Sequence, residues 1–271
     1  MPAWLTGILI GLLLSAPLAA GERPLFDAHI HYSHDAWDST PTAEAVARLR
    51  QAGIVAALVS SSSDEGTQRL FAAAPDLIRP ALRPYQRRGQ LTSWLRDPAI
   101  LAHVEDRLRT HRYVALGEFH VSGADADLPI VRRMVELARQ YGLVLHAHSD
   151  ADAVERLFRQ DPKARILWAH AGFEKPETVR ALMRRQPNLW ADLSFRYDVA
   201  RGGDIAPEWK SLLLEFPDRF MVGTDTYTPE RWREVGEHAA WARDWLDKLP
   251  PEAAARIARD NAEALFPPIG R

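Results

Sequence analysis

Three histidines fall within six positions in "AHIHYSH", residues 28–34, of a chain that holds ten in all. An imidazole buried without a partner costs about a few kcal/mol, and a metal ion removes that cost by taking up the ring lone pair. The 271 residues include no cysteine, which excludes disulfides and thiolate metal sites. A metal would therefore be held by His, Asp and Glu, a donor set that suits zinc, manganese or iron. The same residue types recur downstream as Glu118 and His120 in "GEFH", His146 and His148 in "LHAH", His170 in "WAHAG" and Asp225 in "GTDT". Singly, each has a plainer use. His170 suits a hydrogen-bonded core position, Glu118 an arginine partner, and Asp225 a helix cap or turn.

The elements that carry these residues decide between the two uses. Short apolar runs alternate with longer amphipathic stretches from residue 24 onward. The strands expected are 24–31, 54–61, 77–85, 113–121, 143–149, 165–172, 188–195 and 219–226. Between them, "TAEAVARLRQAG", "PIVRRMVELARQYG" and "ADAVERLFRQ" space their apolar residues three and four apart and two end in glycine, as amphipathic helices do. Near-continuous apolar strands alternating with helices predict a parallel sheet covered on its outer face. Eight such units in about 250 residues fit a (β/α)8 TIM barrel. A doubly wound open sheet is the alternative, weakened by the lack of a glycine-rich phosphate loop after the first strand. The segment 251–267 predicts one extra C-terminal helix.

In such a barrel the chemistry sits at the C-terminal ends of the strands. These histidines and carboxylates all fall at those ends, on the first, fourth, fifth, sixth and eighth strands. Residues two apart on a strand share a face, so His29 and His31 point together into the barrel mouth while Ile30 faces the helices. That coincidence favours a metal site.

The order, strand placement and residue types resemble the amidohydrolase superfamily, in its amidohydrolase-2 branch and with TatD-like features, over residues 21–271. "FDAHIH" resembles its first-strand His-x-His, "LVLHAH" its fifth-strand histidine, "ILWAHAG" its sixth, "VGTD" its eighth-strand aspartate and "RDNAEALF" its C-terminal helix. The resemblance implies His29, His31, His146, His170 and Asp225 as metal ligands. It adds Glu118 as a bridge in a two-metal centre, as in TatD-type hydrolases, or leaves it outside a one-metal centre. His148 is the alternative to His146 and otherwise a substrate contact. One or two divalent ions per chain, zinc first and manganese or iron as alternatives, are implied.

The chemistry expected is hydrolysis without a covalent intermediate. A divalent ion lowers the pKa of water toward about 7, Asp225 relays the proton, and His170 or the metal polarises the oxygen under attack. The substrate expected is a small amide, lactone, ester or phosphoester with an anionic group met by Arg83, Arg196 and Tyr227 from the loops. Tyr32, His34 and Trp37 are candidates to line the pocket. The alternatives are a non-oxidative decarboxylase of the same branch and an inactive-barrel binding protein.

A net charge of -2 gives no reason to expect a nucleic-acid or membrane partner, and the oligomeric state stays open. Residues 1–20 carry no charged side chain and end in small residues. They read as a secretory signal peptide, with export to a bacterial periplasm, or alternatively as a retained anchor. Residues 21–271 read as the catalytic domain.

Overall fold

The computed structural model describes residues 22–270. The signal-peptide expectation for residues 1–20 lies outside them. Strands β1 (Leu25–Ile30), β2 (Ile54–Val59), β3 (Ile78–Leu82), β4 (Ala115–Val121), β5 (Val144–Ser149), β6 (Ile166–Trp168) and β7 (Leu189–Asp192) pair in parallel, each with the next. A two-residue hairpin, β8 (Ala200–Arg201) with β9 (Asp204–Ile205), interrupts the series before β10 (Phe220–Met221), the eighth barrel strand, pairs with β7. The sheet then closes on itself: Ala28 N donates to Val222 O at 2.9 Å and Asp225 N to His29 O at 2.8 Å. The expected TIM barrel is thus present. Its eighth strand is shorter than the apolar run 219–226 suggests, because the chain leaves the ladder after Met221 and bends to place Asp225.

The helices follow the sequence cues closely. After α1 (Thr42–Gln51), α2 (Asp64–Ala73) and α3 (Ala99–Thr110), α4 (Pro129–Tyr141) starts with proline at its first turn. It buries Val131, Met134, Val135 and Ala138 at helical spacing. Gly142 ends α4 in the left-handed conformation at φ 66, its N–H returning to the last turn. α5 (Ala151–Gln160) is capped by Asp150, whose carboxylate accepts from Ala153 N at 2.8 Å. α6 (Pro176–Arg185), α7 (Pro207–Glu215) and α8 (Pro229–Leu246) complete the outer ring, each also opening with proline. Among the described residues no helix is long and apolar enough to cross a membrane.

Two apolar clusters result from strand alternation. The larger fills the space between sheet and helices and takes Ile30, Leu82, Leu116 and Trp168. The smaller takes the inward residues Phe26, Ala28, Leu58, Ala81, Ala115, Val144, Leu167 and Met221, and receives Leu265 and Phe266 from the C-terminal helix. That helix, α9 (Pro251–Ala255) and α10 (Asn261–Leu265) joined by a π-helical turn, forms the barrel floor. Arg79 Nε holds Phe266 O at 3.3 Å, and Asn261 Nδ2 donates to Phe220 O at 2.9 Å. Polar residues occupy the other, upper end.

Phe266 is fully buried, its ring 6.1 Å from that of Phe26. Phe266→Ala should therefore destabilise the fold by about 3–5 kcal/mol, the range for losing a buried aromatic. Denaturant unfolding checks this, and a loss under about 1 kcal/mol would show that the floor does not seal the barrel.

Candidate metal centre

Five strand ends bring the polar residues together. β1 supplies His29 and, just beyond it, His31; a shift in the β1–β2 register between Asp27 and Ile30 accompanies this placement. β4 supplies Glu118 at a second irregularity, where Gly117 pairs with His146 and Phe119 with Ala147. A bulge re-aims a side chain in this way. Gly117 has φ 130, and a Cβ there would lie 2.1 Å from His146 O, so only glycine fits between the strands. The turn after β6 carries His170 at φ 55, and the segment after β10 carries Asp225 at φ 49. Non-glycine residues in this region store about 1–3 kcal/mol each and need surrounding bonds to persist. Arg196 Nη1 donates to His170 O at 3.0 Å, and Arg231 Nε to Asp225 O at 2.6 Å.

Three imidazoles have a defined tautomer. His31 Nδ1 donates to Ser60 O at 2.6 Å and His170 Nδ1 to Ser194 O at 2.9 Å, because a carbonyl can only accept. His29 Nδ1 donates to Asp192 Oδ2 at 3.1 Å. All three Nε2 lone pairs therefore face inward. His29 Nε2 and His31 Nε2 lie 3.1 Å apart. Asp225 Oδ1 is 3.4 Å from His31 Nε2, and Oδ2 is 3.7 Å from His170 Nε2. Lone pairs facing one another and a carboxylate repel unless a proton or a cation lies among them. Asp225 Oδ1 and both ring nitrogens of His146 are buried with no hydrogen-bond partner. These orphaned donors fit a divalent metal ion, and His29, His31 and Asp225 form a compact ligand group.

The protonation equilibria agree. Burial holds His31 down at about 3 and His170 at about 4, so both stay neutral ligands. For His29 burial is outweighed by the carboxylates of Asp192, Asp225 and Glu118, which lift it well above the usual value, so that without an ion a proton sits on its Nε2 and takes the place a cation would fill. Burial pushes Asp225 up to about 6. Burial would also raise Glu118, yet His120, His29 and Arg83 more than offset it and hold it well below the carboxylate range.

The expected residues divide. His29, His31, Glu118, His170 and Asp225 come together. His146 lies beside them, its ring 4.7 Å from that of His29 and its Nε2 3.5 Å from Asp192 Oδ2. His148 faces the cavity, with Nδ1 2.8 Å from Glu118 Oε1. Tyr227 stands half exposed on the cavity rim. Arg83 lines the cavity with Nη2 bonded to Glu118 Oε2 at 2.6 Å. Arg196 does not face the cavity: it is buried against Asp198, His170 O and Glu174 O, because it holds the turn after β6 in place. Tyr32, His34 and Trp37 do not line it either. They are engaged with Thr40 O, Ser62 O and Tyr32 O and shape the first loop.

Asp192 went unanticipated. It is fully buried at the end of β7, accepts from His29 Nδ1, and also receives His170 N at 3.3 Å and Ser194 N at 3.1 Å. A lone aspartate inside the apolar "NLWADL" was the available signal. Arg88, which shares the cavity wall and pairs with Asp35 at 2.8 Å, was also missed. The cavity above the ligands measures about 420 Å³ and is completed by Leu91, Phe173 and Phe195.

An eight-stranded barrel with this site at its C-terminal end defines a metal-dependent enzyme of the amidohydrolase type. The amidohydrolase family model, second branch, matches residues 26–267, and the chain belongs to that family. Among solved structures it is similar to an uncharacterised TIM-barrel protein of Bordetella bronchiseptica, at 14% identity and TM-score 0.66, covering 92% of this chain and 100% of that one. It is also similar to a TatD homologue of Escherichia coli K12, at 18% identity and TM-score 0.61, covering 89% and 97%. A zinc-bound amidohydrolase of Burkholderia multivorans aligns at 15% identity and TM-score 0.53, covering 90% and 99%. No curated protein matches significantly in sequence.

Asp192 orients His29 from behind, and such partners typically tune metal affinity 10–100-fold. Asp192→Ala should weaken zinc binding by about that factor with the fold retained, as measured by competition with a chromophoric chelator. Unchanged affinity would show that Asp192 is only a structural carboxylate.

Proposed function

We propose that the chain is a hydrolase that directs a metal-activated water at a small ester, lactone, amide or phosphoester carrying an anionic group. The observation that carries this reading is the convergence of three tautomer-fixed Nε2 lone pairs on Asp225 beneath a small-molecule cavity. His29, His31, His146, His170 and Asp225 would hold a divalent ion, zinc first, with Glu118 beside them. The ion would supply Lewis acidity, raising the acidity of water and polarising the substrate oxygen.

The chain's own groups do the rest. Asp225 has an oxygen without a hydrogen-bond partner. A carboxylate so placed accepts a proton from water and returns it to a leaving group near neutral pH. His170, fixed by Ser194 O, keeps its Nε2 aimed at the reacting region. Arg88 and Tyr227, on the cavity wall, meet the anionic end of the substrate, since the Arg83 guanidinium is committed to Glu118. The cavity of about 420 Å³ has the size of a small-molecule site, and Phe173 and Phe195 give it an apolar wall.

The test is a screen of lactones, esters, amides and phosphoesters with the zinc-loaded enzyme in ¹⁸O-water. Hydrolysis places one solvent oxygen in the product. Release of carbon dioxide with no solvent oxygen in the organic product would replace this reading with decarboxylation. Asp225→Asn should lower kcat by about 10²–10⁴-fold, the usual contribution of a positioned acid–base group. An unchanged kcat in that variant would remove Asp225 from the proton path.

A further inference from the structure

Glu118 is the most crowded carboxylate of the centre. Its Oε2 accepts from Arg83 Nη2 at 2.6 Å, and its Oε1 from His148 Nδ1 at 2.8 Å. His120 Nε2 lies 3.9 Å from the same Oε1. Arg83 leaves the end of β3 pointing inward and is only 6% exposed. Its guanidinium lies 4.8 Å from the ring centroid of Tyr85, and the Tyr85 hydroxyl is tied to His120 Nδ1 at 2.6 Å. Held between a carboxylate and an aromatic face, the guanidinium is fixed where it stands, and it stays charged under all working conditions. It cannot swing away without taking from the buried Glu118 carboxylate its one charged partner on Oε2.

The charge balance points the same way. Around the ligand group the buried carboxylates are Asp27, Glu118, Asp192 and Asp225; of the buried guanidinium groups Arg196 is matched by its own partner Asp198 at 2.7 Å, which leaves Arg83 and Arg231. Two negative charges are left over, and one divalent ion cancels them. A second divalent ion beside Glu118 would sit against the Arg83 guanidinium and leave a surplus of positive charge in a dry site, where like charges repel strongly.

We propose that Arg83 takes the place of a second metal ion: the centre holds one divalent ion per chain, and the guanidinium neutralises Glu118 where a bridged ion otherwise would. The proposal rests on reading the site as a metal centre. It also accounts for His148, which bonds the other oxygen of Glu118, and for Tyr85, which holds His120 beside it.

The test is metal stoichiometry, read without reference to activity. The full chain is loaded with excess zinc, desalted, and its zinc and protein quantified. Wild type should hold one zinc per chain. Arg83→Met, shown to be folded by circular dichroism, should rise toward two, because Glu118, His120 and His148 are then free to bind, whereas Arg83→Lys should remain at one. Two zinc ions in wild type, or one in folded Arg83→Met, would overturn the proposal. Should Arg83→Met fail to fold, Glu118→Gln decides: one ion, as in wild type, supports the proposal, and a fall from two to one overturns it. No zinc in wild type would overturn the metal-centre reading itself, an outcome distinct from the others.

Discussion

The arrangement depends on where three Nδ1 protons go. Each is donated to a fixed oxygen: the Ser60 carbonyl for His31, the Ser194 carbonyl for His170, and the Asp192 carboxylate for His29. With those protons committed, the opposite nitrogen of every ring is a lone pair with no donor to meet. Three lone pairs and the Asp225 carboxylate crowd into a water-poor barrel mouth, and an ion resolves the conflict that the protein itself leaves open. The ligands are therefore defined less by their own positions than by the oxygens behind them.

Holding those oxygens is the task of the barrel and its loops. Ser60 follows β2 and Asp192 ends β7, so two strands without a ligand of their own still shape the centre. The turns that present His170 and Asp225 adopt left-handed backbone, as do Phe173 and Phe195 on the cavity wall. Such backbone is retained when its surroundings leave no alternative. Arg196 and Arg231 supply that constraint by binding the carbonyls of His170 and Asp225. Arginines near an anionic site invite a substrate role from sequence, yet these two act on backbone.

The barrel was legible in the sequence because its strands are nearly all apolar and its helices carry proline at the start or glycine at the end. The ligand set was legible for a related reason: ionisable residues are rare in such strands, so their recurrence at one end of several stands out. Asp192 was equally visible in principle, as a charge within an apolar run, but it binds a ligand rather than the substrate region and follows no repeated His pattern. The contrast between Arg83 and Arg196 could not be read, since both lie in loops after strands and differ only in three-dimensional partners. The same applies to His146 and His148, which share a face and are separated by depth alone.

The first wall of the metal centre and the floor of the barrel come from opposite ends of the chain. His29 lies on the first strand and His31 just past its end, the strand being bonded to residues Val222 and Asp225, while Phe266 seals the floor beneath it. During synthesis the histidine pair emerges early and waits through nearly two hundred residues for the segments that fix it. Contacts so distant along the chain form late, after the loop-closure entropy of the intervening units has been met. A nascent chain can thus expose several metal-binding side chains while no shaped site exists. Metal selection by geometry begins only when the ring closes.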